Sequence, residues 1–391
     1  MRSTSKKSEE RPEPSKSAPL ANLERILSTH FYKPDIQAIR IVLGTMQAHR
    51  LDVGDPAWLF VVAPPGSGKT TMSIMGASCL PDVLMLGDFS ENTFLSGFFG
   101  HDKPGMLEKL GRTSREGNTF IAEGNAILLA KDFTTVLSMR REKRAAILGH
   151  LREIHDGMFK RDFGTGVTKI WKGRITMIAA VTPALDRHTS VFSTLGERFL
   201  QVRWHRPDSQ EAGVWAIHQQ GSETKWQDEL KQVFGEIFKR ATTSSPSLDK
   251  EMTHRIACIA EIVAISRTHI YRNGFGNREI EYVPEPEANT RVSKGLAAIA
   301  KGIASINGRA EVAEDDLQDC FRVALDSIPE LRRQIIVAVA AGTKPDPKES
   351  AKTTRLRAEE ELEELGILEK SASGLALSRK TESLWRTAKV R

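Results

Sequence analysis

The sequence predicts an α/β fold, a parallel sheet covered by helices, followed by a region that is helical almost throughout. Three observations carry that expectation. Continuous apolar runs alternate with helical segments over the first half of the chain. The first of these runs ends in a Gly-rich turn of phosphate-loop pattern. After Pro207 the apolar spacing becomes helical.

The elements follow in order. Met1 to Pro19 mixes Ser, Lys, Arg, Glu and Pro with almost nothing apolar. Such a segment buries too little surface to offset its ordering entropy, so a disordered tail is expected. It lacks the apolar stretch of a signal peptide. Apolar residues then recur at helical spacing (Leu23, Ile26, Leu27; Ile36, Ile39, Ile41, Leu43), split at Lys33-Pro34, which predicts two short helices. Ala57 to Ala63 is a continuous apolar run, and similar runs occupy Val83 to Leu86, Ala126 to Ala130 and Ile175 to Val181, with a weaker one at Phe199 to Arg203. Runs of this kind are strands buried on both faces. Helical segments at Thr70 to Leu80, Thr134 to Arg152 and part of Ala184 to Leu195 separate them, the pattern of a parallel sheet. Beyond Pro207, helices are expected over Glu211 to Gln219, Trp226 to Arg240, Glu251 to Tyr271, Ala288 to Ile306 and Ala313 to Ser327. The boundaries read as a tail at 1–20, an α/β nucleotide-binding core at 21–207, a helical lid at 208–327 and a terminal module at 328–391.

The composition excludes some classes. With 40% apolar and 27% charged residues, the 391-residue chain is that of a globular protein. No apolar run approaches the ~20 residues of a membrane helix, so no membrane partner is expected. Three scattered cysteines, Cys79, Cys258 and Cys320, form no CxxC pair and suit buried positions in a reducing cytoplasm. The net charge of +6 is compatible with an acidic polymer as partner.

The strand ending at Ala63 runs into Ala63-Pro64-Pro65-Gly66-Ser67-Gly68-Lys69-Thr70-Thr71. Gly66 and Gly68 allow a backbone curl whose N–H groups converge on phosphate oxygens. The helix that follows turns its positive end toward the same anion. Lys69 then reaches the β- and γ-phosphates, and the Thr70 hydroxyl ligates Mg²⁺. Pro65 to Thr71 thus form the expected ATP site, with Mg²⁺ as cofactor. A second magnesium-side carboxylate should end a neighbouring strand, and Asp132 follows Ala126 to Ala130. Where ATPases of this kind carry Asp-Glu, this chain has Lys131-Asp132. Either Asp132 organises Mg²⁺ and Phe133 takes the base position, or Lys131 replaces the metal-side Asp and Asp132 polarises the water.

From these residues the chain resembles the AAA+ ATPase superfamily over about Leu23 to Ser327. The resemblance implies a five-stranded parallel core of order 5-1-4-3-2, a helical lid and assembly into a ring, expected to be a hexamer. It implies a polar sensor, matched by Thr182 after the Ile175 to Val181 strand, that orients the lytic water. It implies an arginine acting across the subunit boundary, matched by Arg198 in Gly196-Glu197-Arg198-Phe199. It also implies a lid arginine acting in cis or in trans, matched by Arg291.

Two further segments bear on what such an ATPase acts on. Leu151 to Gly173 contains two short runs about Gly164-Thr165-Gly166, which read as a β-hairpin. It resembles the hairpin before the sensor strand in the AAA+ clade of minichromosome-maintenance-type helicases, where hairpins grip DNA in the ring channel. Lys160, Arg161, Lys169 and Lys172 would contact phosphates, and the interleaved Phe159 and Trp171 would stack on bases. The alternative is a hairpin that grips polypeptide. Lys352 to Leu365, a Gly stop, and the strand–turn–strand to Leu377 are similar to a winged-helix module. Lys352, Thr354, Arg355 and Arg357 would face a duplex, or the module would dock a protein. The combined expectation is an AAA+ ATPase acting on DNA as helicase, loader or recombination motor, of the kind found in phages and mobile elements. A protein remodeller and a slow ATP-dependent switch are the alternatives.

Overall fold

The computed structural model describes residues 18–66, 80–90, 92–95, 105–189, 198–205, 209–274, 278–344, 352–371 and 374–390. Most of the expected tail, and Ser67, Gly68, Lys69, Thr70 and Thr71 of the expected phosphate loop, lie outside these residues. Among the described residues the strands up to Arg203 are, in chain order, β1 (Trp58–Val62), β2 (Val83–Leu86), β3 (Arg112–Glu116), β4 (Thr119–Glu123), β5 (Ala126–Ala130), β6 (Met158–Asp162), β7 (Thr168–Lys172), β8 (Ile175–Val181) and β9 (Phe199–Arg203).

Five of them form one sheet in the order β2-β5-β8-β1-β9, with every neighbouring pair parallel. All residues of β1, β5 and β8 are buried, which is why they read as unbroken apolar runs. Alternation along β1 divides the core. Leu59 and Val61 pack with the N-terminal helices and the lid, whereas Trp58, Phe60 and Val62 pack with Phe133, Phe159 and Trp171 on the other face.

The N-terminal helices span Ala18–His30 and Ile36–Arg50. The break falls where Lys33 takes a positive φ of 42° and Pro34 disfavours helix in its predecessor. Asp35 then caps the second helix by accepting the Ala38 N–H at 3.0 Å. That helix crosses the lid helix Thr290–Ile306 at two glycines. A Cβ on Gly302 would lie 1.9 Å from the Gly44 carbonyl oxygen, and one on Gly44 would lie 2.4 Å from the Ile303 side chain. Only glycines permit so close an approach.

Several elements differ from expectation. The helix expected from Thr134 to Arg152 is broken: a single turn, Thr134–Leu137, precedes Arg141–His155. An unforeseen hairpin, β3–β4, joins the expected hairpin β6–β7 in a second sheet of order β3-β4-β7-β6. An unforeseen helix, Arg379–Ala388, follows the terminal hairpin of Leu368–Ser371 and Gly374–Leu377. The region after 328 is not a separately packed body. Ile335, Ile336, Leu362, Ile367 and Ala388 share one buried cluster with the lid, and Arg255 of the lid donates to the Ala388 carbonyl at 2.9 Å. Cys258 and Cys320 are buried and free. Among the described residues no helix is long and apolar enough to cross a membrane.

Candidate nucleotide site

The C-terminal ends of parallel strands are where α/β sheets leave a crevice for ligands. Here that edge carries Ala63-Pro64-Pro65-Gly66 after β1, Thr182 after β8, and Asp132 two residues after β5. Ala63 continues the pairing by donating to the Val181 carbonyl at 3.0 Å. Gly66 has φ +77°, a left-handed conformation that suits glycine and turns the chain sharply out of the strand.

Asp132 and Thr182 are linked through a residue that sequence reasoning missed, Thr134. Asp132 is exposed, and its Oδ1 accepts the Thr134 N–H at 2.8 Å. The Thr134 hydroxyl donates to Thr182 Oγ1 at 3.4 Å and accepts the Thr182 N–H at 3.1 Å. The spacing Asp-Phe-Thr carried the signal, because an Asp carboxylate readily accepts the N–H two residues on. Phe133 between them is fully buried, its ring 5.0 Å from Phe60 and 5.3 Å from Phe89. It belongs to the core and offers no group to the edge. Lys131 is exposed, and its N–H reaches the Leu86 carbonyl at 3.4 Å.

Beside this edge lies a cavity of about 950 Å³, lined by Val62, Pro64, Pro183, Arg203, Arg322 and Arg333 among others. It lies against the N-terminal segment, the end of β9 and the lid. Its arginines are held by carboxylates. Arg322 donates to Asp35 at 2.5 and 2.8 Å, Arg203 to Asp186 at 2.7 and 2.8 Å, and Arg333 to Glu330 at 2.7 Å. Burial pushes the Asp35 carboxyl up, but the hydrogen bonds and charge of Arg322 outweigh it and hold Asp35 below its ordinary value. Asp35 also accepts the His205 N–H at 2.7 Å, tying the N-terminal segment to the chain after β9.

Arg198 and Arg291 stand on the opposite edge of the sheet. Arg198 immediately precedes β9, whose first residue pairs with Trp58 at the start of β1. The five residues of β1 separate it from the Pro64-Pro65-Gly66 turn by roughly 15–20 Å. One Arg198 nitrogen donates to both oxygens of Asp156, at 3.0 and 2.9 Å. The cleft around it is also lined by Asp55, His155, Arg267 and Arg291. Arg291 lies 3.6 Å from Glu287, which also receives Arg267. Burial lowers the Arg198 pKa, and nearby Arg291 and Arg152 oppose its charge further, against the support of Asp156. Arg291 thus lies across the sheet from the turn after β1, whereas Arg203, Arg322 and Arg333 lie beside it.

The hairpin overturns part of the expected DNA surface. Lys169 is buried and its ammonium pairs with Glu108 at 2.5 Å, so it holds the hairpin down and faces no ligand. Phe159 and Trp171 are core residues with 1% and 0% exposure, which removes them as stacking platforms. Arg161 is half-buried, donates to Asn92 at 3.1 Å and lies over the Phe163 ring. Lys160 and Lys172 are exposed on the outer face, and Lys160 lies 3.4 Å from Asp162.

In the terminal module, Lys352 and Thr354 are exposed at the start of the helix Lys352–Glu364. Arg355 pairs with Glu359 at 3.4 Å, and Arg357 is half-buried. The rest of that helix carries Glu359, Glu360, Glu361, Glu363 and Glu364. Glu360 and Glu361 bind Arg272, and Glu361 also binds Arg332. These carboxylates are thus engaged in ion pairs that tie the helix to the rest of the chain, and the exposed cationic and polar side chains Lys352 and Thr354 stand in its first turn. Compared with known proteins, the chain matches no protein-family model, and no curated protein is significantly similar to it in sequence.

Proposed function

We propose that this chain is an ATP-hydrolysing P-loop enzyme of AAA+ type that works as a ring and acts on DNA. The observation that carries the reading is the sequence Ala63 to Thr71 following the buried strand β1 of a five-stranded parallel sheet. That sheet's order places β1 between β8 and β9, with Thr182 and Asp132 along the same edge. Numbered among themselves along the chain, the five strands read 5-1-4-3-2 from β9, the order that the AAA+ resemblance implies.

In this reading the backbone of Gly66 to Thr71 and the Lys69 ammonium bind the phosphates. A hard carboxylate oxygen on Asp132 and the Thr70 hydroxyl are the donor chemistry of Mg²⁺, which takes few protein ligands and keeps water and phosphate for the rest. When bound, Mg²⁺ neutralises charge on the phosphate oxygens. Thr134 fixes both Asp132 and Thr182, so the two act as one preorganised unit that orients the attacking water. The cavity lined by Val62 and Arg322 receives the nucleoside. Arg198 and Arg291 are too far from their own phosphate loop, and they serve a neighbouring copy's γ-phosphate. Lys160 and Lys172 contact DNA phosphates, with Lys352 and Thr354 as a second point of contact.

A second reading is favoured by one observation. The outer face of the hairpin sheet carries Met158 at 53% exposure beside Lys160 and Lys172, a surface that also grips polypeptide. The experiment is steady-state ATP hydrolysis with no polymer, single-stranded DNA, duplex DNA or an unfolded polypeptide, beside a Lys69→Ala control. Stimulation by DNA that is lost in the control is the expected result. Stimulation by polypeptide alone turns the reading to a remodeller, and tight ATP binding without turnover turns it to a switch.

A further inference from the structure

The hydrolytic site proposed above has one carboxylate where ATP hydrolysis usually draws on two, because Lys131 is a cation and Phe133 is core. We propose that Asp88, at the end of the neighbouring strand β2, supplies the second carboxylate and accepts the proton of the attacking water. This rests on the ATPase reading and assigns a role within it.

The juxtaposition comes from strand register. In β2 and β5, Leu86 pairs with Ala130, the last residue of each strand. Asp88 and Asp132 each lie two residues past that pair, and neighbouring strands run about 5 Å apart. The residue after each Asp is a buried phenylalanine. Phe89 and Phe133 have 2% and 0% exposure, and their rings meet edge to face at 5.3 Å. Each carboxylate is thus anchored on its C-terminal side by a ring that packs on the other's ring. Both remain exposed on the edge that holds Thr182 and the start of the phosphate-loop turn. Each also uses one oxygen on a nearby backbone N–H: Asp88 Oδ1 accepts from Phe89 at 2.7 Å, and Asp132 Oδ1 accepts from Thr134 at 2.8 Å. The Oδ2 atoms carry the chemistry.

Asp132, tied through Thr134 to Thr182, is one strand nearer to β1 and takes the magnesium side. Asp88 is one strand further out and, in this assignment, takes the water side. In the step, the water oxygen forms a bond to the γ-phosphorus. The bond from that phosphorus to the β–γ bridging oxygen breaks, and its electron pair stays on ADP. The water proton moves to Asp88 Oδ2 and then to solvent. General-base assistance of this kind contributes about 10²–10⁴-fold.

The test compares wild type, Asp88→Asn, Asp88→Glu and Asp132→Asn. Each is measured for affinity toward a fluorescent ATP analogue with Mg²⁺, for ATP turnover, and for thermal stability. Asp88→Asn is expected to bind the analogue within about twofold of wild type and to lose at least about 100-fold in turnover, with partial recovery in Asp88→Glu. Turnover that survives in Asp88→Asn overturns the assignment and leaves the ATPase reading intact. So does loss of analogue binding together with turnover, which would make Asp88 a binding or folding residue. A wild type that binds ATP without turnover overturns the assignment while keeping a nucleotide site. A wild type that binds no nucleotide removes the ATPase reading itself.

Discussion

His155 shows how single residues set the conditions under which the proposed subunit edge works. It is buried against the Trp58 ring, with centroids 5.1 Å apart, and stands beside Arg198. Burial, reinforced by the Arg198 charge, pushes its pKa down to about 4. His49, buried between the N-terminal helices and the sheet and near Arg174, is also pushed down to about 4. Both are therefore neutral in the fold at pH 7. The unfolded chain takes up their protons near pH 6.5, whereas the folded chain does so only near pH 4. Stability from this source is full above about pH 6.5, declines as the pH falls through that window, and is lost below it. Each histidine contributes up to about 3 kcal/mol. Thermal melts are expected to show Tm falling between pH 7 and pH 4.5. In His155→Gln, which cannot protonate, that fall should be smaller, and an unchanged slope would contradict the assignment.

At the scale of elements, the hairpin sheet separates what the sequence carried from what it did not. The central strands β1, β5 and β8 were legible because burial on both faces demands unbroken apolar runs, whereas the edge strands β2 and β9 are partly exposed and β9 gave a weaker run. The hairpin β6–β7 was legible from its Gly-Thr-Gly turn, but its ligand face was misread because every cation was given to the surface. Alternation decides otherwise. Phe159, Arg161, Lys169 and Trp171 share the inner face, and Met158, Lys160 and Lys172 share the outer one. The partner hairpin was invisible because every residue of β3 is exposed and polar, so pairing rather than periodicity makes it a strand. Thr134 was missed because its role lies in a hydrogen bond to a residue far along the chain. The two faces predict opposite behaviour on substitution. Lys169→Met removes the buried cation that pairs with Glu108, and is expected to destabilise the fold by about 3–5 kcal/mol in denaturant titrations. Lys160→Ala with Lys172→Ala should leave stability within about 0.5 kcal/mol. It should weaken DNA binding and flatten its salt dependence by about one unit of slope per lysine. Equal destabilisation by both changes would contradict the assignment of faces.

At the scale of the whole molecule, the sheet keeps the Pro64-Pro65-Gly66 turn on one edge and Arg198 with Arg291 on the other. On the ATPase reading proposed above, a single subunit would then not complete its own site. Arg198→Ala is expected to bind ATP normally and to lose about 10³-fold or more in turnover. Mixed with Lys69→Ala, which keeps its arginine but has no working loop, it should recover part of the activity. No recovery at any mixing ratio would argue against a site shared between copies. A different consequence follows from the seam between Gly44 and Gly302, where two helices nearly touch backbone to backbone. On the ribosome the helix Ile36–Arg50 emerges early, yet the surface it fits is synthesised roughly two-thirds of the chain later, tens of seconds at about 5–20 residues per second. For that interval Ile39, Ile41 and Leu43, buried in the finished fold, have no lid to lie against. That helix, which Asp35 caps, must keep these side chains sheltered by other parts of the chain or by a chaperone until Thr290–Ile306 has been made.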